Sequence, residues 1–262
     1  MKPQTFPAQA RTVAAVLAVV AAASLSACNA HTPMECGPNT LGVSRTITLT
    51  QNSPPLMDLL QVNEVVLTFD DGPHVGRTPD VMAELDKSCT RATFFLLGRQ
   101  AAAFPAYAKA VSEAGHSIGS HSMDHANLSQ LELDVAMANV GEGHDAVEAA
   151  VGHETSLFRF PFIQSTPELS AAVSAEGLIE LGITADSADW SRNSPDEAAE
   201  LVLQKLEEHD RRGIILLHDP MRNSAARTRA VLDALQQNGY RVVALTTADT
   251  QIPGDMLAAG AE

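Results

Sequence analysis

At 262 residues, 45% of them hydrophobic, the chain is long enough for one large α/β domain and too short for two of that size. Its 17 basic and 32 acidic residues leave a formal charge of −15, and no Lys/Arg cluster stands out past the N-terminus. Such a surface repels nucleic acid and anionic polymers, so neither is expected as a partner, whereas a neutral glycan is compatible with it.

Lys2 and Arg11 precede an apolar run, Val13 to Ala23, that is too short for a good membrane span and reads as the core of an export signal. The mature protein is therefore expected to work outside the cytoplasm. Leu25-Ser26-Ala27-Cys28 places a large residue three before the cysteine and resembles the lipobox of bacterial lipoproteins. Residues 1–28 then form a signal peptide with lipobox, and Cys28 becomes the acylated first residue of a periplasmic or cell-envelope lipoprotein held at a membrane; plain secretion is the alternative. Lipidation leaves Cys36 and Cys89. In an oxidising compartment they either pair, tying the N-terminal segment to the domain, or stay separate thiols. Residues 29–62 mix Pro, Asn, Thr and Gly with little periodicity and are expected to be an arm or tether.

From Asn63 the pattern changes. Apolar runs rich in Val, Ile, Leu and Phe predict strands at Glu64–Asp70, Ala92–Gly98, His116–His121, Ser156–Pro161, Leu178–Ala185, Gly213–Asp219 and Tyr240–Leu245. Helices lie between them: Ser194-Pro195-Asp196-Glu197 is a capping box, Thr166-Pro167-Glu168 opens another helix, and Gly239 ends one that starts near Ala225. Seven alternations predict one domain over 63–250, followed by a tail over 251–262, built on a parallel sheet that is closed or open. In a closed (β/α) barrel, catalytic groups belong at the C-terminal strand ends.

Polar clusters occur at those ends. Asp70-Asp71-Gly72-Pro73 ends the first predicted strand, and His121-Ser122-Met123-Asp124-His125 ends the third. Two His four apart on a helical turn can face one cation, and one of the carboxylates would complete a two-His, one-carboxylate set with open positions. The same set suits zinc or non-haem iron, so spacing does not name the metal. Arg159-Phe160-Pro161, Asp186-Ser187-Ala188-Asp189-Trp190 and Leu216-Leu217-His218 close later strands, and Trp190, the single Trp, sits among charged residues.

Together, Thr-Phe-Asp70-Asp71-Gly-Pro, His121-Ser-x-x-His125, Arg159-x-Pro161, Asp186-Ser-x-Asp189-Trp190 and Leu216-x-His218 resemble the five ordered motifs of the NodB-like polysaccharide deacetylases, carbohydrate esterase family four. The likeness covers about residues 63–246. It implies a distorted (β/α)7 barrel that hydrolyses N-acetyl groups of amino-sugar glycans, or O-acetyl esters. It further implies a divalent ion, zinc foremost, on Asp71, His121 and His125, with Asp70 as general base. His218 would be the general acid, oriented by Asp189, and Arg159 would be the charge partner of Asp70. The Phe162 backbone N–H would meet the oxyanion, and Trp190 with Leu216 would wall the acetyl pocket.

The third motif departs from the family pattern. It continues Phe162-Ile163-Gln164 where the family carries a Gly, which puts the shape of the sugar groove in doubt. Two rivals are a glycan-binding envelope lipoprotein without turnover and a non-haem iron oxygenase. The first has no use for the full set of catalytic side chains, and the second has none for Asp70 beside the metal or for the His218–Asp189 pair.

Overall fold

Glu64–Asp70 (β2) is buried along its whole length, as its unbroken apolar run requires of a strand covered on both faces. Successive side chains alternate across the sheet. Val65, Leu67 and Phe69 join the large cluster shared with the surrounding helices, while Val66 packs in a second cluster with Phe95, Leu157 and Ile214. Thr68 and Asp70 therefore share the face of Val66, which brings a carboxylate to the upper end of the barrel interior.

The computed structural model describes residues 36–37, 40–191 and 194–248; Cys28, the export signal and the C-terminal tail lie outside the described residues. Strands β1 (Arg45–Leu49), β2, β3 (Thr93–Leu96), β4 (Ser117–Ser120), β5 (Leu157–Phe158), β6 (Ile179–Glu180), β7 (Ala185–Asp186), β8 (Gly213–His218) and β9 (Arg241–Thr247) form one sheet. The helices are α1 (Leu56–Leu59), α2 (Thr78–Lys87), α3 (Gly98–Ala103), α4 (Pro105–Glu113), α5 (Leu133–Val151), α6 (Pro167–Ala175), α7 (Pro195–Glu208) and α8 (Ser224–Gln237). Parallel ladders run β7–β8–β2–β3–β4–β5–β6, seven strands in barrel order. The seam falls between β6 and β7, where the chain passes directly from one to the other, and this makes the (β/α)7 barrel a distorted one.

Two departures from the sequence reading have clear causes. The run expected as one strand over Leu178–Ala185 is split into β6 and β7 around Gly182, so the ring of seven is completed there rather than by the last strand, β9. That last strand instead pairs with Glu64 and Val65 at the start of β2 and carries β1 on its other edge. Arg45–Leu49 falls within the segment expected to be a tether, yet Ile47, Leu49, Leu56 and Leu60 supply much of the second apolar cluster beside Val243 and Leu245. Five residues flanked by Ser and Thr give too short an alternation to stand out.

The helix signals behave as expected. Ser194 and Glu197 form the reciprocal capping box of α7, Thr166 caps α6 through the Leu169 N–H, and Gly239 follows the end of α8 at φ 73°. Cys36 and Cys89 form a disulfide that ties the N-terminal segment to the turn before β3, at the end of the strands remote from Asp70.

Candidate active site

Asp70 ends β2 and is almost fully buried. Its Oδ1 accepts a hydrogen bond from Arg159 Nη1 at 2.7 Å, and the same nitrogen donates to Thr68 Oγ1 at 2.7 Å. Arg159 follows β5 and is itself fully buried. Its Nε and Nη2 donate to the carbonyls of Leu181 and Gly182 at 3.0 Å, and its guanidinium lies 4.1 Å over the Phe95 ring. Burial lowers the guanidinium from its ordinary value while the Asp70 charge pulls it back up, and an arginine so placed stays charged. The carboxylate is thus aimed and compensated without any surface ion.

Asp71 stands next, in the left-handed region at φ 75°, which turns its side chain away from the strand. Its Oδ1 is 3.7 Å from His121 Nε2 and 3.4 Å from His125 Nε2, and the three donor atoms all lie within 4.8 Å of one another. Ligands about 2.1 Å from one tetrahedral ion stand about 3.4 Å apart, so the spacing fits a small dication. Asp71 Oδ1 is buried without a hydrogen-bond partner, a cost in an apolar setting that a bound cation would remove. The His121 ring places Nδ1 2.7 Å from the Arg159 carbonyl, which can only accept, so the proton belongs on Nδ1 and Nε2 keeps its lone pair. Burial lowers the His121 pKa, against the pull of Asp70 and Asp71, which keeps the ring neutral as a ligand must be. Asp70 Oδ2, 3.8 Å from His121 Nε2, sits at the rim of this triad.

The two histidines converge differently from the expected helical turn. His121 follows β4, and His125 lies in a loop where Ser122 and His125 both take φ 66°. Ser122 Oγ accepts the His125 N–H at 3.1 Å. Behind this loop, α5 comes so close that a Cβ on Gly143 would lie 2.5 Å from Ser122 O. Only glycine allows that approach.

His218 closes β8 in register with Asp70 of β2. Its Nδ1 donates to Asp189 Oδ1 at 2.7 Å, and its backbone N–H donates to Asp189 Oδ2 at 2.9 Å. Burial alone would lower its pKa. The Asp189 hydrogen bond and charge, helped by Asp70 and Asp71, outweigh burial and raise it to about 9.

Phe162 and Trp190 are 57% and 60% exposed, large apolar surface at the strand-end face that a core would have covered. The Phe162 ring stands edge-on to His125 with centroids 4.5 Å apart. Phe162 and Ile163 both take positive φ, 59° and 54°, which is strained for a β-branched residue and is the place where the family pattern would carry a glycine. Trp190 Nε1 points to Asp186 Oδ2 at 3.5 Å, and Leu216, two residues before His218, is buried at 5% exposure in register with Asp186. The sequence reading missed Thr68, the Leu181 and Gly182 carbonyls and Phe95, all of which fix Arg159. It also missed Asp219, whose buried carboxyl is pushed up to about 7, chiefly by burial. Of these, the period of two along β2 could have pointed to Thr68.

Comparison with known proteins agrees with the barrel fold. The family model described as polysaccharide deacetylase matches residues 60–180. A peptidoglycan-N-acetylglucosamine deacetylase, PgdA, of Listeria monocytogenes is 29% identical over 69% of this chain, and the match spans 38% of that relative's length. A chitooligosaccharide deacetylase of Azorhizobium caulinodans is 30% identical over 68% of this chain and 90% of its own. The solved peptidoglycan deacetylase of Bdellovibrio bacteriovorus superposes with a TM-score of 0.72 at 32% identity, covering 80% of this chain and 61% of that one. With the ordered motifs, the barrel and these relatives in agreement, the chain belongs to the polysaccharide deacetylase family.

Proposed function

We propose that the protein is a metal-dependent hydrolase that removes acetyl groups from the N-acetylated sugars of a polysaccharide, with O-acetyl esters as further substrates. The observation that carries this reading is the pairing of a three-donor cluster, Asp71, His121 and His125, with two proton-transfer groups, Asp70 and His218, on neighbouring strands. A dication there, zinc foremost, would polarise the acetamide carbonyl and acidify a water.

The chain's own residues supply the rest. Asp70 Oδ2 is the free oxygen of the carboxylate that Arg159 grips by Oδ1, so it accepts the proton of the attacking water. His218, protonated through Asp189, donates to the departing amine from Nε2, the nitrogen that Asp189 leaves open. Asp189 and Arg159 act as positioning residues. The Phe162 backbone N–H stabilises the oxyanion, and Trp190 and Leu216 wall the acetyl group. The exposed Phe162 and Trp190 rings flank the sugar.

Peptidoglycan, chitin oligomers and poly-N-acetylglucosamine are the proposed polymers, the first two because relatives carry those names. Acetylated xylan would be the ester substrate. Residues 1–28 are proposed as the export signal, with Cys28 as the lipid-bearing residue that anchors the chain at the cell envelope and residues 63–250 as the deacetylase domain. None of the described helices is long and apolar enough to cross a membrane. Fractionation with Cys28→Ser tests the anchor: release of the variant supports it, and a soluble wild type with another N-terminus removes it. For the activity, chelated protein is reloaded with zinc and offered the four polymers. Acetate release from at least one amide-linked glycan, lost on chelation, is expected; zinc-loaded protein inert on all four would overturn the reading.

A further inference from the structure

The loop from β2 to α2 presents Asp70 and Asp71, and it rests on the turn that follows His218 through three contacts. Thr78 Oγ1 donates a short hydrogen bond to Asp219 Oδ2 and accepts the His74 N–H at 2.7 Å, so one hydroxyl joins the loop to the turn. Arg77 Nη1 donates to the Pro220 carbonyl. Gly72, beside Asp71, lies so close to Asp219 that a Cβ there would fall 2.7 Å from the Asp219 Cγ. Asp219 is fully buried, and its Oδ1 has no hydrogen-bond partner among the described residues.

A buried carboxyl with an unmatched oxygen lowers stability, so folding alone gives no reason for it. Asp71 meanwhile sits in a left-handed conformation and must hold Oδ1 between two imidazoles at 3.4 and 3.7 Å. Ligand sets tolerate misplacement of only about 0.5 Å before affinity suffers.

We infer that Asp219 is a positioning residue for the candidate metal site: wedged beneath Gly72 and held by Thr78, it fixes the loop that carries Asp70 and Asp71 to the turn that carries His218. This inference rests on the proposed roles of those three residues. It makes the His-Asp dipeptide at the end of β8 a double device, with His218 facing the substrate and Asp219 facing the loop that follows β2.

The test measures zinc affinity by competition with a chromophoric chelator, together with kcat and KM on an N-acetylated glycan and melting of the metal-free proteins. Asp219→Ala should weaken zinc binding at least tenfold and lower kcat with KM within about threefold. Asp219→Asn, which keeps the volume and the acceptor for Thr78, should recover most of the loss. Gly72→Ala should be damaging beside Asp219 and add little in the Asp219→Ala background, because the clash is gone. If Asp219→Ala does not fold, Thr78→Val, nearly isosteric but without the hydroxyl bond, should show the same loss of affinity. Wild-type zinc affinity and kcat in Asp219→Ala, an Asn variant as weak as Ala, or additive effects of the two substitutions would each overturn the inference. A wild type that binds no zinc removes the metal-site reading along with it, whereas a wild type that binds zinc beside unaffected variants removes only the role of Asp219.

Discussion

His218 Nδ1 lies 2.7 Å from Asp189 Oδ1, and the other oxygen of Asp189 holds the His218 backbone N–H at 2.9 Å, so one carboxylate fixes both the ring and the chain of this histidine. The pair also sets a titration. With its pKa raised to about 9, His218 is charged at neutral pH, and its proton is lost as pH rises through that value. The stability that the pair contributes follows the same sign: complete below the ordinary value of 6.5, lost as pH passes about 9. NMR titration of the metal-free protein should place the His218 midpoint near 9, since a bound dication would oppose the shift. In Asp189→Asn the principal raising partner is gone while burial and the weaker pull of Asp70 and Asp71 remain, so the midpoint should fall well below 9, toward the ordinary value of 6.5. An unchanged midpoint would contradict the assignment.

Arg159 and Asp70 form the buried ion pair of the barrel interior. Arg159→Met removes one partner and leaves a carboxylate, a hydroxyl and two carbonyls without their donor. Loss of a partner from such a pair costs about 3–5 kcal/mol, so chemical denaturation at pH 7 should show a loss of that order. A change below about 1 kcal/mol would mean that the pair is solvated in solution.

Most of the barrel was legible because its strands are buried on both faces: β2, β3, β5 and β8 appear as apolar runs, three of which stop at Asp70, Arg159 and His218. The chemistry was legible for a related reason, since Asp70, Arg159 and His218 sit where those runs stop. Other features depend on tertiary context. β1 is amphipathic over only five residues, and Leu178–Ala185 has the composition of one strand although the chain breaks it into β6 and β7. The convergence of His121 and His125 depends on left-handed residues at Ser122 and His125, neither a glycine, and on Gly143 far along the chain. No local spacing encodes that.

The disulfide between Cys36 and Cys89 closes a loop with a sequence separation of 53. In the loop-entropy account a crosslink of that span stabilises by about 4 kcal/mol. Cys89→Ser should therefore lower the melting temperature while leaving zinc affinity unchanged, because Cys89 lies at the end of the strands remote from the triad. Loss of zinc binding in the folded variant would show that the N-terminal segment reaches the site.

Ile163 holds φ at 54°, where a branched side chain is strained by about 1–2 kcal/mol. Ile163→Gly should relieve part of that strain, offset by the added freedom of the unfolded chain, and should open the groove beside Phe162. The expected result is lower KM for longer glycans with kcat little changed. A KM indifferent to chain length in both proteins would place Ile163 outside the groove.

Asp70 and Asp71 are adjacent and chemically alike, yet the geometry gives them different work: Asp70 is gripped by Arg159, and Asp71 faces His121 and His125. The most direct measurement is zinc content and acetate release from an N-acetylated glycan for the wild type, Asp70→Asn and Asp71→Asn, after chelation and reloading. Asp70→Asn should keep one zinc per chain while turnover falls about 10²–10⁴-fold, the usual contribution of a general base, and Asp71→Asn should lose zinc first. An Asp70→Asn protein that carries zinc and turns over like the wild type would contradict the account.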